Sequence, residues 1–307
     1  MVEATQHDDC LRRACVSCGA TTLRSLRAYE ADHLVRCDRC GLTFAGRRPT
    51  EADLEEHYSG YGDWPDSELT RVRYREVLAE FEPYRSAGRI FDMGCGAGYF
   101  LEEAAAAGWE PHGSTVGELS VQMCRGKGLD VISATDAVTA FPDGHFDVAT
   151  AFEVVEHLRD PATEAQMLAR VLRPGGLLYC TTPNFDSLTR RLLGSKWRVI
   201  DYPEHLLYFT SGTLTRWLER FGFRAVRIGS TGLSPGELLR VLRQPAGESP
   251  AGAAPSGAGA VRGLDERLRD ATEGGRLMPV AKRTINGALT RSGLGDTLKA
   301  WFVRLPG

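Results

Sequence analysis

Between residues 90 and 98 the chain reads Ile90-Phe91-Asp92-Met93-Gly94-Cys95-Gly96-Ala97-Gly98, and few local sequences restrict a fold so strongly. A short apolar run of strand length ends in an acid and enters three alternating glycines. The stretch Tyr99–Ala107 that follows has helical spacing. A strand, a turn rich in bare backbone and a helix make the first unit of an open α/β sheet. Such sheets bind ligands beyond the carboxyl ends of their strands. Glycines let a ligand approach the main chain, and Asp92 sets a carboxylate beside it. The dinucleotide fingerprint needs a glycine three positions after the second. Tyr99 stands there, which disfavours nicotinamide and flavin cofactors. No Gly-Lys-Ser/Thr is present, so this is not the phosphate loop of nucleoside triphosphatases.

Strand and helix signals alternate downstream. Strands are expected at Arg89–Met93, Glu110–Val116, Val131–Ser133, Phe146–Phe152, Leu177–Thr181, Phe223–Ile228 and Thr297–Leu305. Asp160-Pro161 opens one of the intervening helices, with the acid as cap and proline at the first helical position. The alternation predicts an α/β fold: a doubly wound, mostly parallel, seven-stranded Rossmann-like sheet. Residues 88–235 and 276–307 are assigned to it, with 49–87 as a helical connector whose helix spans about Ser67 to Glu82. Residues 236–275 read as a mobile insertion or lid, because 244–263 is an Ala/Gly/Pro/Ser tract that cannot pack a core.

Eight cysteines are present, and four form two pairs: Cys15-Val-Ser-Cys18 and Cys37-Asp-Arg-Cys40, with 18 residues between them. This spacing suits a zinc ribbon over residues 1–48, in which two knuckles supply four thiolates to one structural zinc. Unligated cysteines or a redox pair are the other readings of the same residues. A sheet this small needs the metal as its core. The first residues lack a basic-then-apolar leader, and no apolar run reaches membrane-spanning length, so a cytoplasmic protein is expected. With 40 acids against 37 bases the net charge is −3. Residues 1–48 hold 8 Arg and 6 acids, a balance of +2 that is weak for tracking phosphates and disfavours a nucleic-acid partner. Oligomeric state is not fixed by these features.

The strand–turn–helix segment resembles the Asp-x-Gly-x-Gly-x-Gly motif of class I S-adenosylmethionine-dependent methyltransferases. Further segments resemble that family in its own order: Phe141-Pro142-Asp143-Gly144-His145-Phe146-Asp147, then Glu153-Val154-Val155-Glu156-His157-Leu158, then Leu172-Arg173-Pro174-Gly175-Gly176 with Thr182-Pro183-Asn184. The likeness covers about Gly88 to Ile228. The stretch Trp197 to Thr210, with Pro203-Glu204-His205-Leu206, is similar to a subgroup of small-molecule methyltransferases that also carry an N-terminal zinc ribbon.

The resemblance implies S-adenosylmethionine as cofactor. It places Asp92, Gly94, Cys95, Gly96 and Gly98 at the methionyl part and ribose, Asp136 near the adenine, and Phe152 and Glu153 along the donor pocket. The family's ribose-binding acid falls on Thr115, a departure that Glu118 at the next helix start is expected to offset. His205, with His157 as the second candidate, is the expected base, and Trp197, Tyr202, Tyr208 and Phe209 the expected aromatic acceptor pocket. The leading expectation is methyl transfer to a small-molecule acceptor, of the kind found in specialised metabolism. The alternatives are an RNA methyltransferase gripping RNA with the ribbon, and a non-methylating descendant that binds a ligand or uses the donor otherwise.

Overall fold

In a computed structural model, residues 10–50, 53–54, 66–234, 236–237, 287 and 289–306 are described. The run of strands and helices from residue 89 closes into one seven-stranded sheet. Its strands are β4 (Arg89–Met93), β5 (Glu110–Thr115), β6 (Asp130–Ser133), β7 (Phe146–Phe152), β8 (Leu172–Pro183), β10 (Phe223–Thr231) and β11 (Thr297–Arg304). Their spatial order is β10-β11-β8-β7-β4-β5-β6. β6, β5, β4, β7 and β8 run parallel, whereas β11 enters antiparallel between β8 and β10. The order reverses at β4, which heads the glycine turn. A reversal opens a crevice at the carboxyl ends, and ligands sit there in such sheets.

Alternation along the central strands builds a core on each face. In β7, Val148 packs with α1 (Glu68–Phe81), α2 (Tyr99–Ala106) and α3 (Glu118–Gly126), while Ala149 and Ala151 face the other side. That side is covered by α4 (Ala134–Ala140), α5 (Pro161–Val171) and, near the sheet's antiparallel edge, α6 (Ser211–Glu219). In β8, Leu177 and Tyr179 face the first layer, and Leu178 and Cys180 the second. Parallel strands covered on both faces read as continuous apolar runs, as these do. Each fully buried Leu or Phe contributes about 1.5–3 kcal/mol relative to exposure.

Asp147 sets where the chain enters β4. Its buried carboxylate accepts from the Ser86 and Gly88 amides (2.8 and 2.7 Å) and from Arg173 Nε (2.7 Å). Burial opposes its ionisation, but these donors outweigh it and hold its pKa below the ordinary carboxylate range.

The N-terminal residues build a second sheet of β1 (Leu23–Ser25), β2 (Leu34–Cys37) and β3 (Thr43–Ala45), in the order β1-β2-β3-β9. Its last strand, β9 (Leu207–Tyr208), comes from the insertion after β8 and pairs Thr43 with Tyr208 and Phe44 with Leu207. The Ala45 amide also donates to Leu206 O (2.8 Å). Cys15, Leu34, Leu42 and Phe44 belong to the same buried cluster as Phe209, Trp217 and Phe91. A metal would therefore not be this sheet's only core, because the large domain supplies apolar cover.

Several expectations change. The ribbon's strand residues 23–29, read from the sequence as one strand, divide: the strand stops at Ser25 and a 3-10 turn takes Arg27–Tyr29. β8 begins at Leu172, directly after α5, rather than after Gly176. Trp197, Tyr208 and Phe209 are buried among apolar side chains and form core in place of an open acceptor pocket. Of the expected mobile insertion 236–275, only residues 236 and 237 fall within the described residues.

Candidate functional site

The donor crevice is built at the ends of β4, β5 and β7. Gly94 (φ 76°) accepts a backbone no L side chain favours, and a Cβ there would lie 2.4 Å from Val154 Cγ2. The Gly94 and Cys95 amides are both held by Ser114 O (2.8 and 2.9 Å), which fastens the turn to β5. Cys95 packs beneath it, with its sulfur 2.9 Å from where a Gly113 side chain would begin. A hydrogen bond with Cys124, and then burial, push the Cys95 thiol up, so it acts as a small buried filler.

Asp92 is 3% exposed and accepts from Thr150 Oγ1 at 2.7 Å. Burial raises its pKa to about 7, against the opposing pull of Thr150. A buried carboxylate with no cationic partner among the described residues suits an incoming ammonium, which would restore its ordinary acidity. Tyr74, which no sequence motif marks, lies over this crevice: its ring meets Phe100 and Phe152 edge-on, each at 5.3 Å. Burial and then the Asp92 carboxylate push its phenol up. Arg71 fastens this helix to α2 through Glu102 (2.7 Å) and Glu103 (3.0 Å). Tyr74 shares the apolar face of α1 with Leu78 and Phe81, and that periodicity was the available signal.

The other expected donor residues fall differently. Phe152 ends β7 inside the aromatic group of Tyr74, Phe100 and Tyr179. Glu153 follows in a left-handed conformation (φ 53°), its amide donating to Thr181 O and Oγ1 at 3.1 Å each. A non-glycine held at positive φ is strained, and such strain collects at functional turns. Thr115 is buried at the tip of β5, and its hydroxyl donates to Val116 O at 3.4 Å. Glu118 is exposed and accepts from Gln122 Nε2 (3.0 Å) along its own helix, so it does not reach back toward Thr115. Asp136 is exposed and engaged in a helix cap: its amide donates to Ser133 Oγ (3.1 Å), and Ser133 Oγ donates to its carboxylate (2.7 Å).

His157 and His205 come together, with ring centroids 4.7 Å apart. Nδ1 of His157 lies 2.9 Å from Glu204 O, and Nδ1 of His205 lies 2.7 Å from Val199 O. A carbonyl only accepts, so each Nδ1 carries the hydrogen and each neutral ring keeps its lone pair at Nε2. Glu156, another residue not selected beforehand, is buried beside them and accepts from Thr182 Oγ1 at 2.9 Å. One ligand atom from each of Glu156, His157 and His205 lies within 4.8 Å of the others. The Leu206 amide donates to Glu156 O (2.8 Å), which ties the His205 segment to the turn after β7.

The four N-terminal cysteine sulfurs also converge within 4.8 Å. Cys15 and Cys40 are 3.5 Å apart, as are Cys18 and Cys37. A tetrahedron with Zn–S bonds of about 2.3 Å has edges of ~3.8 Å, so the set fits a closed thiolate site. Burial opposes ionisation of Cys37, but the Cys40 and Arg39 amides bring its thiol down to about 7. A cleft of about 370 Å³ lined by Ser211, Arg216, Ile228, Ser230 and Leu298 includes none of the expected site residues.

The model of the methyltransferase domain family matches residues 67–228. The chain belongs to the class I S-adenosylmethionine-dependent methyltransferases. A "Probable S-adenosylmethionine-dependent methyltransferase" of Mycolicibacterium smegmatis is 31% identical over 257 residues, covering 81% of this chain and 92% of that one. A "Ubiquinone biosynthesis O-methyltransferase" of Thiobacillus denitrificans is 28% identical over 172 residues, covering 52% and 73%. In structure, this methyltransferase is similar to a SAM-dependent methyltransferase from Archaeoglobus fulgidus, with TM-score 0.50 and 21% identity, covering 82% of this chain and 98% of that one. It is also similar to the cyclase SpnF, with TM-score 0.51 and 18% identity, covering 84% and 97%. Both structural likenesses concern the fold. Among the described residues, no helix of this methyltransferase is long and apolar enough to cross a membrane.

Proposed function

We propose that this enzyme transfers the methyl of S-adenosylmethionine to a hydroxyl of a small organic molecule, with His205 Nε2 as general base and Cys15, Cys18, Cys37 and Cys40 holding a structural zinc. The observation that carries the reading is the tautomer of His205. Its Nδ1–H is committed to Val199 O, which leaves a lone pair at Nε2. An acceptor hydroxyl loses its proton to that nitrogen as its oxygen attacks the methyl carbon; the carbon–sulfur bond breaks and a neutral thioether leaves. Such in-line transfer asks mainly for positioning, to which a base adds about 10²–10⁴-fold. Asp92 would take the donor's ammonium, and the Gly94–Gly98 backbone its methionyl and ribose parts. Tyr74, Phe152 and Glu153 would close the pocket. Relatives named ubiquinone biosynthesis O-methyltransferase support oxygen as the atom. The +2 balance of residues 1–48 and the pairing of β3 with β9 disfavour the ribbon as an RNA grip.

One experiment separates the readings: the purified chain is incubated with methyl-labelled donor and either a small-molecule cell extract or total RNA. Label in a small organic product is expected. Label in RNA would replace this reading with the RNA-directed one. No label in either, with donor binding intact, would favour the non-methylating descendant that Thr115 suggests.

A further inference from the structure

We propose that the acceptor carries an anionic oxygen group, a carboxylate or a phosphate, and that Arg12, Arg47 and Arg48 receive it at the seam between the N-terminal sheet and the methyltransferase domain; this rests on the small-molecule reading above. Residues 10–12 run antiparallel to 46–48. Leu11 pairs with Arg47, while the Arg12 amide donates to Gly46 O and the Arg48 amide to Cys10 O, at 2.7 Å each. Side chains alternate along such a pair, so Arg12 and Arg48 share one face as diagonal neighbours. Arg12 Nη2 donates to Arg159 O (2.9 Å) and Arg159 Nη2 to Pro49 O (3.3 Å), which ties the pair to the turn that carries His157. Among the described residues Arg12 and Arg48 have no ion-pair partner, and Arg47 meets only Asp53, at 3.7 Å.

The acids near these arginines are already engaged: Asp53 accepts from the Thr50 amide (2.8 Å) and Asp160 from Thr163 Oγ1 (2.9 Å). Burial first, and then the Arg48 charge, bring Arg12 down to about 10, so an anion seated between the two would relieve their repulsion. Guanidinium forks bind carboxylate and phosphate oxygens in pairs. Tyr202 supplies a separate observation. Its hydroxyl is buried, has no hydrogen-bond partner among the described residues and lies within range of the Arg47 and Arg12 charges. A buried hydroxyl left unpaired is costly, and an anionic oxygen would accept from it. Tyr202 is three residues before His205. That spacing spans at most about 11 Å, and the turn closed by the His205 amide on Asp201 O (2.7 Å) shortens it. One small organic molecule can therefore place its anion on the arginines and its hydroxyl at His205.

The first test needs no turnover. The full chain is treated with the arginine reagent phenylglyoxal in chloride, phosphate or acetate at equal ionic strength, and the modified sites are read by mass spectrometry. Phosphate, acetate or both should slow modification of Arg12, Arg47 and Arg48 by roughly threefold or more relative to chloride. Arg24, an exposed arginine beside Asp38, should not change. Which anion protects names the source, and protection by neither overturns the proposal. In the labelled-methyl assay the product should be retained on an anion exchanger. Arg48→Gln, at an exposed position, should raise the half-saturating amount of extract about 10-fold or more, with kcat within about threefold. Arg48→Lys should recover part of the loss. A neutral labelled product, or a fall in kcat at unchanged half-saturation, would overturn the proposal. Label in RNA together with phosphate protection would replace it with a nucleic-acid phosphate. Because arginine protection is read without methyl transfer, failure of the methyl-transfer reading and failure of the anion site are told apart.

Discussion

The donor turn and the His205 segment are the two halves of the proposed site, and they are made in opposite ways. The turn is contiguous: a strand, Asp92 and three glycines within nine residues, fastened to the neighbouring strand by two amides on Ser114 O. The His205 half is assembled from distant pieces. His157 follows β7, His205 comes some 50 residues later, and β9 beside it is completed by β3 of the N-terminal sheet. Arg216 adds a tie by donating to Cys40 O through Nε and Nη2 at 3.2 and 3.0 Å. Donor binding should therefore survive damage to the N-terminal sheet, whereas the base should not.

The largest effect expected is from Cys37→Ser. Closed thiolate sites contribute directly to folding, so the zinc equivalent should be lost. Hydrogen exchange should then speed up in 34–45 and spread to the amides of 206–208. Donor affinity should change by less than about threefold, since the turn is a separate cooperative unit. If exchange over 89–98 rises equally, the two halves are one unit and the contrast fails. His205→Ala comes next, with methyl incorporation from labelled donor into the extract falling about 10²–10⁴-fold and donor affinity unchanged. Wild-type incorporation would remove His205 from the reaction.

Asp92→Asn tests the other half. Loss of one charge-assisted contact should weaken donor binding by roughly 10- to 150-fold in calorimetry. The wild type also carries a pH signature. Because the free Asp92 titrates near 7 and the ammonium needs its charged form, affinity should fall about tenfold per unit as pH drops below that value. The sign for stability is opposite to the usual acid: with its folded pKa raised, Asp92 stabilises the free protein at low pH, and that contribution is lost as pH rises from about 4 to 7. Asp92→Asn should flatten both trends. The smallest effect belongs to Glu118→Ala, which should change donor affinity less than about twofold, because this carboxylate is exposed and held by Gln122. A larger loss would restore Glu118 as the stand-in for the missing ribose acid.

What the amino-acid sequence determined by itself was everything carried by local order: the Asp92–Gly98 turn, the alternation that makes a doubly wound sheet, and the two cysteine knuckles. Helical and strand periods and turn chemistry act over a few residues and are written along the chain. Tertiary structure decided the rest. Thr150 reaches Asp92 only through the β4–β7 register, Glu156 meets Thr182 across β8, and Tyr74 lies over the crevice because α1 packs on α2. It also turned Asp136 into a helix cap, pulled Glu118 away from Thr115 and buried Trp197, Tyr208 and Phe209, three of the four aromatic residues expected to receive the acceptor. Burial and long-range register set which polar groups meet and which lose water. No local pattern encodes either, because each depends on the packing of segments brought together only by the fold.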